Sequence, residues 1–161
     1  MGRMLDHITR FQRGELPPPP VAALIGFTLV AVEPGHAVVE MDVGPQHANP
    51  MGTLHGGILC DIADAAMGMA YAASLEEGES FTTLELKINF LRPVWAGRLI
   101  ATGRIVKDGQ TVGLVECDIH DDQDRLVARA SSTCMTLRGA RATGRWHSRS
   151  RVEARPGAAG V

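Results

Sequence analysis

The sequence predicts an α+β fold in which an antiparallel sheet of five to six strands wraps around one long central helix. Three observations carry the prediction. Residues 58–75 form a helical run that is apolar on nearly every side, the pattern of a helix buried nearly all round. Two strand-like segments rich in β-branched residues precede it and four follow, some alternating apolar and polar residues at the period of a half-buried strand. The connections between them are short, so sequential strands are expected to be neighbours. One sheet around one helix covers all of these apolar faces.

The chain has 161 residues, the size of one domain with a real core. Near its start, Leu5 and Ile8, with Met4 and Phe11, fall on one side of a short amphipathic helix over 4–14. Residues 17–20 are all proline and predict a stiff extended spacer, so 1–20 reads as an N-terminal arm. A β-rich body begins after Val21. Residues 28–32 and 37–43 are expected to form a hairpin around Pro34-Gly35. A polar loop, 44–54, then delivers the chain to His55. Beyond the helix, Glu76, Glu77 and Gly78 mark the return to solvent, with Gly78 as the stop. In 83–93, Leu84, Leu86, Ile88 and Phe90 share one face and Glu85, Lys87 and Asn89 the other, with Pro93 near the strand end. Segments 98–106 and 111–120 flank a hairpin turn centred on Asp108-Gly109. A turn at 121–124 leads to a last strand over 126–137.

Composition narrows the function classes. No run of about 18 apolar residues is present, which excludes a transmembrane helix. No apolar stretch follows the basic start, so no secretory signal is read. Cys60, Cys117 and Cys134 are odd in number, far apart and without C-x-x-C spacing. They read as small core hydrophobes in a reducing, cytoplasmic setting. The net charge of −2 hides an asymmetry. Residues 138–161 carry six arginines (Arg138, Arg141, Arg145, Arg149, Arg151, Arg155) against Glu153. That segment reads as a basic, flexible tail moderating an acidic body. Only Trp146 offers the aromatic interleaving that single-stranded nucleic acid wants, so neither nucleic acid nor membrane is expected as a partner.

The most informative junction is His55-Gly56-Gly57 at the start of the helical run. A Gly-Gly pair turns sharply and lets a ligand approach the backbone. The N–H groups of a helix's first turn lack intrahelical acceptors and sit at its positive end, a donor site for an oxygen that carries negative charge. Asp61 and Asp64 lie within the otherwise apolar run, where a carboxylate needs a reason to be. An anion-stabilising turn plus an acid is equipment for attacking an activated carbonyl. No phosphate-cradling loop, Gly-x-Ser-x-Gly elbow or His-Glu-x-x-His motif occurs. Neither a metal nor a cofactor is expected.

Asn49-Pro50-Met51-Gly52-Thr53-Leu54-His55-Gly56-Gly57, with an acid nine positions after the histidine, resembles hotdog-fold acyl-CoA thioesterases of the phenylacetate-pathway and 4-hydroxybenzoyl-CoA type. The later Ile88-Asn89-Phe90-Leu91-Arg92-Pro93, with Gly97, is similar to the strand after the helix in that family. The resemblance spans about residues 21–137 and implies a hotdog domain hydrolysing an acyl- or aroyl-CoA. It implies that Asp64 attacks the thioester or activates water, and that Gly56 donates its N–H to the carbonyl oxygen. It further implies that Asn49 orients substrate or water, that His55 orients the loop and carbonyl, and that Thr83 assists with its hydroxyl. Gly68 stands where one branch of the family has a hydroxyl. Gly57 and Gly68 are expected as close-packing glycines beside the substrate, Gly68 leaving room for the acyl group. Arg92, Lys107 and Arg138 are candidates to meet the phosphates of CoA. Asp61, one turn before Asp64, reads as a structural or interface acid.

Spacing adds a constraint. Gly56 and Asp64 are eight residues apart, or about 12 Å along one helix, yet both must come within about 3 Å of one carbonyl. Two antiparallel copies solve this, predicting an obligate dimer with two shared sites; the resemblance implies a tetramer built as a dimer of dimers. Alternatives to hydrolysis are hydration or dehydration of an acyl thioester, and a non-catalytic acyl-CoA binding module.

Overall fold

The structure, a computed structural model, describes residues 3–143. The tail arginines Arg145, Arg149, Arg151 and Arg155, with Trp146, lie outside the described residues. In chain order the elements are α1 (Arg3–Gln12), α2 (Pro20–Ile25), β1 (Phe27–Glu33), β2 (His36–Val43), α3 (Gly56–Ser74), β3 (Ser80–Phe90), β4 (Gly97–Lys107), β5 (Val112–Asp121) and β6 (Leu126–Leu137). The strands make one antiparallel sheet in the order β1-β2-β4-β5-β6-β3. Helix α3 touches all six strands. One sheet around one helix is therefore the architecture, as the apolar periodicities require.

Three expectations are corrected. The prolines do not run as an extended spacer into the sheet, because Pro20 opens α2. Proline at the first helical position has a suitable φ and lacks an N–H that would be orphaned anyway; Gly26, at φ +90°, closes the helix. Sequential strands are not all neighbours. Helix α3 carries the chain across the sheet, so β3 emerges beside β6 at the far edge while β2 and β4 pair directly. The helix also ends earlier than Gly78: Leu75, in extended conformation, follows its last turn, and Gly78 at φ +84° serves the turn after it.

A fourth difference positions the site. Strand β3 does not alternate cleanly, because its register against β6 shifts between Thr83 and Glu85. Leu84 is the extra residue of a bulge, and it is half-exposed rather than inward. Inserting one residue flips the phase of everything before it. Phe81 and Thr83 thereby join Leu86, Ile88 and Phe90 on the face whose β6 partners are Thr136, Cys134, Ser132, Ala130 and Ala128.

The core is aliphatic, as the scarcity of aromatics demands. Ile62, Ala63, Ala66, Met67 and Ala70 of α3 pack against Val39, Leu99, Ala101, Val115, Cys117 and Ile119 of the sheet. Burying one such Leu, Ile or Met side chain stabilises by about 1.5–3 kcal/mol. Close approach depends on Gly103 in β4: a Cβ there would stand 2.5 Å from the Ala66 carbonyl. Met4 and Ile8 of α1 reach this same core, and the Gln12 amide donates to the Val30 carbonyl of edge strand β1 (3.0 Å). Among the described residues no helix is long and apolar enough to cross a membrane.

Candidate active site

The loop before α3 is held by side chains with local duties. His47 is buried; its Nδ1 accepts from the Gly44 N–H (3.0 Å) and its Nε2–H donates to the Ile25 carbonyl (2.9 Å), tying the loop to α2. That pairing fixes the tautomer, because one ring nitrogen must accept and the other donate. The Asn49 side-chain oxygen accepts from the N–H groups of Met51 (2.9 Å) and Thr53 (3.2 Å), and its amide donates to Thr53 Oγ1 (2.8 Å). The Leu54 N–H donates to the Val94 carbonyl (2.7 Å), clamping this loop to the segment after β3.

The clamp delivers His55 as the N-cap of α3. Its Nδ1 accepts from the Gly57 N–H (2.9 Å), while its backbone N–H donates to the His47 carbonyl (2.9 Å) and its carbonyl accepts from Ile58 (3.0 Å). Gly57 permits this geometry, since a Cβ there would meet the imidazole at 2.9 Å. Gly56, the first helical residue, has no intrahelical acceptor by position. Among the described residues its N–H meets no protein acceptor, unlike those on either side. One donor at the positive end of a 19-residue helix is thus left for a ligand oxygen.

Gly56 opens on a cleft of about 430 Å³ lined by Asn49, Thr53, Leu54, Phe90, Arg92 and Val94, among others. The Phe90 ring covers it closely: a Cβ on Gly56 would lie 2.9 Å from Phe90 Cζ. Sequence periodicity placed Phe90 on the inner face but gave it no role. Its contact with Gly56 depends on the clamp between Leu54 and Val94. His47 carries no sequence signal either, because a lone histidine in a polar loop has no diagnostic spacing.

Asp64 lies on the opposite side of this geometry. It projects from α3 toward β3, where the Thr83 hydroxyl donates to its Oδ1 (3.1 Å). Asp64 and Asp61 are both exposed within one chain; the helix is not buried all round, and neither acid is walled in by its own protomer. Burial of its surroundings and the nearby Asp64 charge raise the Asp61 carboxyl above its ordinary range. Gly68, one turn after Asp64, is buried, and the space beside it holds the Phe81 ring (3.3 Å from the position of an added Cβ).

The structure therefore brings Asp64 together with Thr83, and Gly56 with Asn49 and Arg92, but leaves these two groups apart within one chain. Lys107 and Arg138 stand at neither. Arg138 is near the C-terminal end of α3, where it pairs with Glu79 (2.7 Å) and lines a cavity of about 390 Å³ with Ser74, Leu75 and Thr136, and the Lys107 carbonyl lies beside Gly113, which approaches Tyr71 of that helix. The cysteines offer no ready nucleophile. Burial pushes the Cys117 thiol up to about 12 and raises Cys134 and Cys60 as well, whereas a reactive thiol needs a lowered value. Among the described residues no group of three or more His, Cys, Asp or Glu is placed to hold a metal ion.

Known proteins share this architecture. The Thioesterase superfamily model matches residues 51–128, from the loop before His55 into β6. The 1,4-dihydroxy-2-naphthoyl-CoA hydrolase of Listeria monocytogenes is 33% identical over 68% of this chain and 89% of its own length. Acyl-coenzyme A thioesterase PaaI of Escherichia coli K12 is 34% identical over 66% of this chain and 75% of its own. The solved structure of the E. coli PaaI protein from the phenylacetic acid degradation operon superposes with a TM-score of 0.74, covering 84% of this chain and 97% of that one at 26% identity. With its helix-wrapping sheet and its His-Gly-Gly helix start, the chain belongs to the thioesterase superfamily and has the hotdog fold.

Proposed function

We propose that this protein hydrolyses an acyl- or aroyl-CoA thioester to the free acid and CoA, at a site assembled from two copies of the chain. The observation that carries the reading is the pair of half-sites: an acid with a hydroxyl donor on one of its oxygens, and a helix-start N–H left without a protein acceptor. Each is half of what thioester cleavage needs. Eight residues of helix separate them, about 12 Å, so one chain cannot present both to one carbonyl. A two-fold partner supplies the missing half. The surface around Asp64 suits such a partner. Strand β3 is an 11-residue sheet edge with Leu84, Phe90 and neighbouring Leu91 exposed, and a long apolar edge is a template for pairing.

In this reading the carbonyl oxygen accepts from Gly56 of one protomer, at the positive end of its α3. The carboxylate of Asp64 from the other either attacks the carbonyl carbon or takes a proton from an attacking water. The Thr83 hydroxyl occupies Oδ1 and leaves Oδ2 to act. In the first route the C–S bond breaks as an aspartyl anhydride forms, and water then hydrolyses that anhydride to the free acid; in the second, the oxygen of water forms the new C–O bond as the C–S bond breaks. CoA departs as its thiolate and takes up the proton that water gives. His55 acts by capping the helix and so aiming the Gly56 N–H, while Asn49 keeps the loop in shape. Arg92, on the rim of the Gly56 cleft, is the basic residue placed to meet a CoA phosphate. Free cysteines fit a reducing, cytoplasmic setting.

Thiol release from a panel of acyl-CoAs tests the reading. Wild type is expected to release CoA, and Asp64→Asn to lose at least about a hundredfold in kcat while keeping its thermal stability. Tight acyl-CoA binding without thiol release would instead mark a binding module, and a change in enoyl absorbance a hydratase. Full activity in Asp64→Asn with loss in Asp61→Asn would move the role to the other acid.

A further inference from the structure

Phe81 is not used in the chemistry above, yet it stands directly beyond the acid. The bulge at Leu84 turns Phe81 and Thr83 to the same side of β3. Thr83 meets Asp64, and the next inward residue, Phe81, meets Gly68 one helical turn further on. The ring is braced from behind. Its centroid lies 5.6 Å from that of Tyr71 at a tilt of 55°, and Tyr71 is fully buried with its hydroxyl bonded to Thr136 Oγ1 (2.8 Å). Tyr71 is itself held by Gly113, where a Cβ would stand 2.5 Å from its ring. Gly68, Phe81, Tyr71 and Gly113 thus form a continuous wall across the space between α3 and the sheet.

We infer that Phe81 is the floor of the acyl pocket and restricts the enzyme to compact acyl groups. The inference rests on the thioesterase reading and deepens it. From Asp64 to Gly68 is one turn, about 6 Å along the helix axis. That admits one aromatic ring or about four methylenes before an acyl group reaches the Phe81 ring. Behind the ring stand Tyr71 and Thr136, the register partner of Phe81. Shortening Phe81 vacates the volume of its own ring beside Gly68 and so lengthens the pocket. Phe81 acts on selectivity, so its removal changes which substrate is best without removing the acid, its hydroxyl partner or the Gly56 donor.

The test compares kcat/KM for butyryl-, hexanoyl-, octanoyl-, decanoyl- and benzoyl-CoA in wild type, Phe81→Ala and Phe81→Leu, with thermal melts to confirm folding. Wild type is expected to be best on butyryl-, hexanoyl- or benzoyl-CoA. Phe81→Ala moves the maximum to octanoyl or longer, with a rise of about tenfold or more on decanoyl-CoA carried mainly by KM. Phe81→Leu gives a smaller shift in the same direction, and carries the test if the alanine variant unfolds. A length profile unchanged in a folded variant, or a wild type fastest on decanoyl-CoA, overturns the role of Phe81 and leaves the thioesterase reading standing. A wild type that cleaves none of the panel overturns both.

Discussion

Asp64 and Thr83 are nineteen positions apart in sequence and meet because a strand carries one extra residue. Within one chain this hydrogen bond is exposed, so water replaces the hydroxyl when it is removed and the bond adds little to folding stability. Thr83→Val keeps a β-branched side chain suited to the strand but removes the donor. Its kcat is expected to fall by about ten- to a hundredfold with little change in melting temperature, and steady-state kinetics beside a thermal melt checks this. His55 makes the opposite prediction. Its Nδ1 caps the Gly57 N–H, so His55→Ala should cost about 1 kcal/mol of stability and also weaken turnover, because the helix start that aims Gly56 loosens. A denaturant titration measures the first effect.

At the scale of elements, the position of α3 on the sheet is set by absent side chains. In Gly103→Ala the new Cβ would fall 2.5 Å from the Ala66 carbonyl, a backbone atom that moves only if the helix moves. Overpacking of this kind costs about 3 kcal/mol, which lowers the melting temperature by roughly 6–12 °C in a chain of this size. The β5–β6 turn depends on charge. Arg125 beside Asp121 bonds its carboxylate, the N–H groups of Arg125 and Gln123 add to it, and together they hold the Asp121 carboxyl down to about 2. Because the folded value lies below the ordinary 3.8, this contribution is present above pH 4 and is lost as pH falls through about 2. Asp121→Asn should therefore melt earlier than wild type at pH 7, with the gap closing between pH 4 and 2. Melts across that range follow it.

For the whole molecule the decisive claim is that the site is shared. If Gly56 and Asp64 act from different protomers, two dead variants should repair each other. In a mixed dimer of Asp64→Asn with a Gly56→Val variant, one site combines the intact Gly56 of the first chain with the intact Asp64 of the second. After co-refolding at equal amounts, half of the dimers are mixed and each has one good site, so about a quarter of wild-type activity should return. No recovery in dimers shown to have exchanged would place both groups on one chain. The size of Val at Gly56 is chosen against Phe90, which already lies 2.9 Å from the position of a Cβ.

The sequence by itself determined the elements and the family to which they belong. Apolar periodicity found the central helix and six strands, because burial imposes a period of 3.6 on one and of 2 on the other. His55-Gly56-Gly57 and the acid at Asp64 were legible because capping and helix geometry are local. Tertiary structure decided what depends on partners far along the chain. Pairing of β3 with β6 follows from where α3 crosses the sheet. The bulge that aims Thr83 at Asp64 is defined only against the register of β6, so even alternation around Leu84 pointed the wrong way. Phe90 over Gly56 and Phe81 against Gly68 are contacts between segments that no spacing rule links. The division has one physical cause: a residue's neighbours within a turn or a strand are fixed by backbone geometry, whereas its neighbours across the fold are fixed by how whole elements pack.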